Sequence, residues 1–320
     1  MKNLHSNKKK TISIVAPCFN ESQIISKFLD LLIKEINKHK NYFFSIIIID
    51  NASTDDTVEI LKKYASKYKF IKVIINIRNF GHIRSPYYGI MQSTSDATIY
   101  MASDLQDPPS MIGEFIKHWE LGYKVVWGVK NNSFERNIFI KFSRRVYYHF
   151  LNLISETPIV KNATGFGLYD KLVLNYVRKI NDPYPYFRGM VSELGFPIKE
   201  VNFFQKPRPK GDSKNNLLTL YDFAMLGIVN HSIVPLRFAS LVGILFGIIS
   251  FIAACIYLIL KLLYWDTFTI GVAPLLISMF FLFGILLFFV GIIGEYLLVI
   301  QKYLRNRPIV VEKERINFDK

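Results

Sequence analysis

Asp104-Leu105-Gln106-Asp107-Pro108-Pro109 is the stretch of this chain best suited to chemistry. It sets two carboxylates and an amide within four residues, at the end of an apolar run. Hard oxygen donors so placed can hold a divalent cation together with the phosphates of a substrate. Taken singly, Asp104 and Asp107 are as ordinary as any turn or helix-cap residue. Their weight comes from company. Asn20 and Glu21, and again Asp50 and Asn51, also follow apolar runs. In an open α/β sheet, residues just beyond the strand ends converge on one crevice.

The elements that must position them are legible as alternating patterns. Thr11–Pro17 (TISIVAP), Phe43–Asp50 (FFSIIIID), Ile71–Ile75 and Ala97–Met101 are β-branched apolar runs, the signature of buried parallel strands. Between them lie helical periodicities. From Gln23 to about Lys38, residues Ile24, Ile25, Phe28, Leu31, Leu32 and Ile36 share a face. Val58–Tyr68, Pro86–Ser93 and Met111–Glu120 are further helices, Asn79–Arg84 a polar turn and Val125–Gly128 a short strand. Strand and helix alternate, so the expected fold is α/β, a doubly wound, Rossmann-like, mostly parallel sheet.

The second half is different in kind. Pro235–Leu260 has no charge between Phe238 and Leu260, and in Val272–Ile300 the one charge is Glu295. Each run exceeds the roughly 20 residues needed to cross a bilayer. Arg237 before the first, and Lys302, Arg305 and Arg307 after the second, predict that both ends face the cytosol. Phe139–Leu153 mixes Lys141, Arg144 and Arg145 with Phe142, Tyr147 and Tyr148, which suits a membrane surface. The expected layout is a basic tail over 1–10, a cytosolic sheet domain over 11–215 and an amphipathic juxtamembrane segment over 216–234. Transmembrane helices follow over 235–263 and 272–300, then a basic cytosolic tail over 301–320. Met1–Lys10 has no apolar core, so no signal peptide is expected, and the location is the inner (plasma) membrane.

The 320 residues carry a net charge of +15. Anionic lipid or a phosphorylated substrate accounts for that balance. Zinc-finger spacing and RNA-binding aromatic signatures are missing, so no nucleic-acid partner is expected. Cys18 sits near a strand end and Cys255 in an apolar run, and no disulfide between them is expected. Gly243, Gly247, Gly284, Gly291 and Gly294 offer close helix contacts, which leaves homo-oligomers open.

Pro17-Cys18-Phe19-Asn20-Glu21, Asp50-Asn51-Ala52-Ser53-Thr54-Asp55, Asn79-Phe80-Gly81-His82 and Asp104-Leu105-Gln106-Asp107-Pro108-Pro109 together resemble the inverting GT-A glycosyltransferases of family 2. With the two apolar runs, the set is similar to the polyprenyl-phosphate group, the bactoprenol glucosyltransferases and dolichol-phosphate mannose synthases. Thr164-Gly165-Phe166, Phe187-Arg188-Gly189-Met190 and Gly211-Asp212-Ser213 extend the resemblance along nearly the whole chain.

The resemblance implies a GT-A domain followed by two membrane helices, and it implies roles. Pro17, Phe19, Glu21 and Asp50 would hold the base and ribose of a nucleotide sugar, with Asn20, Asn51 and Ser103 beside them. Asp104 and Gln106 would hold Mg2+ or Mn2+. Asp104, Asp107 and Arg188 form the catalytic set, and Arg188, Lys206 and Arg208 would meet phosphate charge. Arg188 has a rival reading as a simple partner for Glu193. The implied reaction moves a hexose, UDP-linked, to polyprenyl (undecaprenyl) phosphate at the cytosolic leaflet. Membrane lipids, a downstream flippase and a periplasmic transferase are implied partners, the product being lipid-linked sugar for cell-surface glycans. Ala102 and Asn51 depart from the pattern, standing where the family usually has Asp, and Arg84 stands where a small residue is usual. Two alternatives stay open. One is a family 2 enzyme that extends a polysaccharide or glycolipid. The other is a membrane scaffold that has lost catalysis, which Ala102 favours.

Overall fold

The computed structural model describes residues 9–131, 163–180, 182, 185–205, 234–264, 272–305 and 307–318. Contacts divide the chain into two units: Met1–His149 with Thr157–Asn215 and Asn306–Lys320, and Phe150–Glu156 with Asn216–Arg305.

The first unit is one eight-stranded sheet. Its strands are β1 (Thr11–Cys18), β2 (Phe43–Asp50), β3 (Ile71–Asn76), β4 (Ala97–Tyr100), β5 (Val125–Lys130), β6 (Ala163–Asp170), β7 (Ile198–Phe203) and β8 (Glu312–Ile316). They lie in the order β7-β5-β6-β4-β1-β2-β3-β8. β1, β2, β3 and β4 run parallel, as do β5 and β7, whereas β6 is antiparallel to β4 and β5, and β8 is antiparallel to β3. The chain winds outward from β1 through β2 to β3, then crosses back to place β4 on the other side of β1. The gap between the ends of β1 and β4 is therefore a topological switch point.

Helices cover both faces. α1 (Ile25–Ile36), α2 (Thr57–Lys67) and α4 (Ile112–Glu120) pack Phe28, Leu32, Leu61, Phe115 and Trp119 onto one face. α3 (Gly81–Met91), α5 (Lys171–Lys179) and α6 (Phe187–Glu193) pack Tyr87, Ile90, Val173, Val177 and Met190 onto the other. β1 and β2 carry buried side chains on both faces, which is why they are continuous apolar runs in the sequence.

Three elements differ from expectation. α3 starts at Gly81, not at Pro86, and carries Pro86 inside it. Proline favours a first helical position, but here it is the sixth residue, buried in a helix that packs on β1 and β2. The turn expected over 79–84 is thus mostly helix. The segment after the last long helix, expected to be a basic tail, contains β8.

The second unit holds two long helices, α7 (Val234–Leu263) and α8 (Val272–Leu304), which pack on each other. Among the described residues, one stretch is long and apolar enough to cross a membrane, Phe281–Gln301 in α8. The apolar stretch that stands out in α7 is shorter, Leu236–Phe246. The expectation of two spans is met by length and composition in one helix. The segments expected over 139–153 and 216–234 lie outside the described residues, except Val234, which opens α7.

Candidate active site

Side chains stitch the strand ends together at the switch point. Ser103, 3% exposed, donates its hydroxyl to the carbonyl of Pro17 at 2.8 Å and so ties the loop after β4 to the end of β1. The loops after β1 and β2 are joined as well. Asn20 N–H donates to Ser53 Oγ at 2.8 Å, and Thr54 N–H donates to Asn20 Oδ1 at 2.8 Å. Glu21 N–H donates to Thr57 Oγ1 at 2.9 Å. Phe19 lies in the same connection.

Asp50 is 0% exposed. Its Oδ1 accepts the Ser53 N–H at 2.9 Å, and its Oδ2 accepts from the Ser53 hydroxyl and, at 3.6 Å, from the Cys18 thiol. Burial pushes this carboxyl above its ordinary range against the pull of those hydrogen bonds. Burial, followed by the Asp50 charge, pushes the Cys18 thiol well up, so Cys18 is a neutral, unreactive group.

Asn51 is the hub of a buried amide lattice. Its Oδ1 accepts from Asn76 Nδ2 at 3.1 Å and from the Phe80 N–H at 2.9 Å. Its Nδ2 donates to Asn79 Oδ1 at 2.8 Å and to Gly81 O at 3.3 Å. Asn76 Nδ2 also donates to Ser85 Oγ at 3.1 Å. The lattice fixes the loop that opens α3, and it occupies the Asn51 amide with protein partners.

The acidic loop has its own geometry. Leu105 has a left-handed backbone, φ 63°, and Gln106 N–H donates to Asp104 Oδ1 at 3.1 Å, closing a tight turn. Asn20 and Ala52 share that conformation, at φ 55° and 64°. Three of the four left-handed non-glycine residues among those described thus fall in the loops after β1, β2 and β4. Backbone strain of this kind gathers where a loop must aim side chains. Asp107 does not cap the next helix; its carboxylate turns back to accept the Ala102 N–H at 2.9 Å.

Arg188 enters from the first turn of α6. It donates to the carbonyl of Ala163 and lies 5.3 Å over the Tyr186 ring. Tyr100, at the end of β4, flanks Gly165 together with the Arg188 side chain and feels the charges of both Arg188 and the acidic loop. Burial raises the Tyr100 phenol; the charges of Asp107 and Asp104 raise it further, and Arg188 pulls it down. Lys130, at the end of β5, pulls down the pKa of Asp107. Tyr100 and Lys130 were not among the residues expected from sequence. The available signal was their place at strand ends flanking the acidic run. Lys206 and Arg208 lie outside the described residues.

The carboxylates do not form a closed metal cage: among the described residues, no three His, Cys, Asp or Glu side chains group to hold an ion. Asp104 and Gln106 offer two oxygen donors on one turn. That set fits an ion shared with substrate phosphates, the usual manner of Mg2+.

The family described as Glycosyl transferase family 2 matches residues 13–176. A Bacillus subtilis (strain 168) protein named uncharacterized glycosyltransferase YkcC is 31% identical over 299 residues, covering 93% of this chain and 92% of its own. The SfII prophage-derived bactoprenol glucosyl transferase of Shigella flexneri is 28% identical over 303 residues, covering 95% of this chain and 97% of its own. Among solved structures, glucosyl-3-phosphoglycerate synthase from Mycobacterium tuberculosis is 17% identical with a TM-score of 0.48, over 69% of this chain and 78% of that one.

Proposed function

The chain belongs to glycosyl transferase family 2, and from that premise we propose that this glycosyltransferase moves a hexose, with inversion, from a UDP-linked donor to polyprenyl phosphate at the cytosolic face of a membrane. One observation carries the reading. The likeness to the bactoprenol glucosyl transferase of Shigella flexneri covers 95% of this chain, well past the family match that stops at residue 176. It therefore takes in the long apolar helices as well as the sheet.

The acceptor phosphate oxygen attacks the anomeric carbon while the bond to the diphosphate oxygen breaks. One displacement inverts the centre and releases the nucleoside diphosphate. That phosphate oxygen is already largely anionic at neutral pH, so no side chain has to remove a proton from it. The difficulty lies in the charge gathering on the leaving group. Asp104 and Gln106 would hold a divalent ion on the diphosphate, and such an ion offsets that charge when bound. Arg188 supplies fixed positive charge beside Gly165, within electrostatic reach of Tyr100. Pro17, Phe19, Asn20, Glu21 and Ser103 line the nucleotide side, with Asp50 and Asn51 shaping the loops behind them.

The chain leaves the sheet unit after β7 and re-enters it at β8. Sheet strands on both sides of the helical pair support a reading with an even number of crossings, α7 and α8 as two spans. Arg237, Lys302, Arg305 and Arg307 assign the cytosol to both ends.

The test is direct. Purified full-length protein in lipid is given undecaprenyl phosphate, Mg2+ and a panel of nucleotide sugars, and the lipid fraction is weighed by mass spectrometry. The expected product is the lipid monophosphate plus one hexose, lost on chelation. Sugar appearing only on a glycan or glycolipid acceptor would overturn the choice of acceptor.

A further inference from the structure

The strand that closes the sheet comes from beyond the apolar helices. β8 follows α8 by a short connection and pairs along β3, with Asn76 opposite Glu312. It is held on two sides by different contacts. Toward α2 it makes the Lys62–Glu314 ion pair at 2.7 Å, and just past it Asn317 Nδ2 donates to the carbonyls of Ala65 and Ile71 at 2.7 and 2.8 Å. Toward α3, Tyr88 donates its hydroxyl to Glu312 Oε1 at 2.8 Å. Arg315 Nε donates to Glu312 Oε2 at 2.9 Å, and Arg315 Nη2 to Gln92 Oε1 at 2.9 Å. Just before the strand, Val311 O accepts the Ile77 N–H at 3.0 Å.

The α3 contacts land on the supports of the amide lattice. Ile77 directly follows Asn76, which donates to both Asn51 and Ser85. Tyr88 sits three residues after Ser85 on α3, hence on the same side of that helix. Val311 and Glu312 therefore grip the two pieces, the end of β3 and the body of α3, that the lattice spans. The contacts on the other side, to Lys62 and Ala65 of α2 and to Ile71 at the start of β3, touch neither the end of β3 nor α3.

We propose that Glu312 is a positioning residue for the donor site. Acting through Tyr88, it holds α3 and the Asn79–Gly81 loop at the crevice, so the site in the first half of the chain is completed by residues from beyond the helical pair. The proposal rests on reading that crevice as the nucleotide-sugar site.

The experiment compares full-length variants in lipid. Glu312→Ala and Tyr88→Phe each raise KM for the nucleotide sugar by about fivefold or more, with kcat little changed. The double variant is no worse than the more impaired single. Glu312→Gln, which keeps an acceptor for Tyr88, restores most of the loss. Lys62→Ala, which removes the ion pair of the same strand to α2, leaves KM alone. Amide hydrogen exchange supplies a readout independent of turnover: it quickens over residues 77–91 in Glu312→Ala and Tyr88→Phe, but not over 57–67. Unchanged KM and unchanged exchange over 77–91 overturn the proposal. An equal rise of KM in Lys62→Ala also overturns it, since β8 would then be a general clasp. If the parent protein turns over no nucleotide sugar, the reading of the crevice fails, and the exchange data alone decide whether Glu312 holds α3. Tyr88→Phe removes a single hydroxyl and serves where Glu312→Ala folds poorly.

Discussion

The backbone N–H of Ala102 donates to Oδ2 of Asp107 at 2.9 Å, drawing the acidic loop back onto the end of β4. Asp107 is 5% exposed there. Burial, joined by repulsion from Asp104, pushes its carboxyl from 3.8 up to about 7, against the Ala102 hydrogen bond and the charge of Lys130. The loop is thus built around a carboxyl that keeps its proton to near neutrality.

A pH dependence follows. The folded pKa lies above the unfolded one, so the stability linked to this proton is fully present below pH 3.8. It is lost as pH rises through about 7. The full span is worth roughly 4 kcal/mol at most. Asp107→Asn mimics the protonated form and keeps an acceptor for Ala102. In metal-free protein the variant should match the parent near pH 4 and exceed it in stability at pH 8. Melting curves across that range check this, and a pH-independent difference between the two proteins would reject it.

Among the described residues the Asp104 side chain makes one hydrogen bond, to the Gln106 N–H within its own turn, and an amide oxygen can accept it as well. Asp104→Asn keeps that turn but weakens the proposed ion contact. Turnover should fall by about 100-fold or more, with no loss of melting temperature, since the charge removed repels Asp107. Titrating Mg2+ for parent and variant tests the assignment; equal rates at every concentration would remove Asp104 from the metal site.

The Asn51 side chain makes four hydrogen bonds among the described residues. Asn51→Ala takes from the buried Asn76 amide one of its two acceptors and leaves the Phe80 N–H without the Asn51 oxygen. Each such loss costs about 1–3 kcal/mol, so a total of about 2–6 kcal/mol is expected. Denaturant or thermal unfolding measures it. A change within a few tenths of a kcal/mol would mean that the lattice contributes little.

Gly167 lies on β6 opposite Trp127. A Cβ there would overlap the carbonyl oxygen of Val126 and sit 3.1 Å from Trp127 Cα, both backbone atoms of the paired strand. Gly167→Ala must therefore part β5 from β6, and it should cost about 3 kcal/mol or more. Low yield and a depressed melting temperature are the expected signs, and a variant that melts like the parent would show that the strands yield easily.

Some of this was open to the sequence because it is local. β2 occupies the span its apolar run marks, Phe43–Asp50, since a strand buried on both faces has no polar alternation to blur its ends. The acidic loop was legible for the same reason: it follows such a run directly. α3 was misjudged because Pro86 looks like a helix start, and only packing against β1 and β2 lets it sit inside one.

β6 and β8 were hidden for a different reason. β6, ATGFGLYD, carries two glycines, and four of the five residues of β8, EKERI, are charged. Neither sequence favours a strand by itself. β6 is stabilised by pairing on both sides, and β8 by β3 together with Lys62 and Tyr88. The sequence by itself determined a parallel α/β core, an acidic loop at a strand end and two long apolar runs, because burial and helical or strand period are written in neighbouring residues. Tertiary structure alone decided that Arg188 binds the carbonyl of Ala163 on β6 and that Asn51 faces a lattice. It alone decided that the strand after α8 returns to the site-bearing sheet. Those outcomes depend on partners up to a few hundred residues away, and no local pattern encodes which strand an edge will pair with or which side chain a buried amide will find.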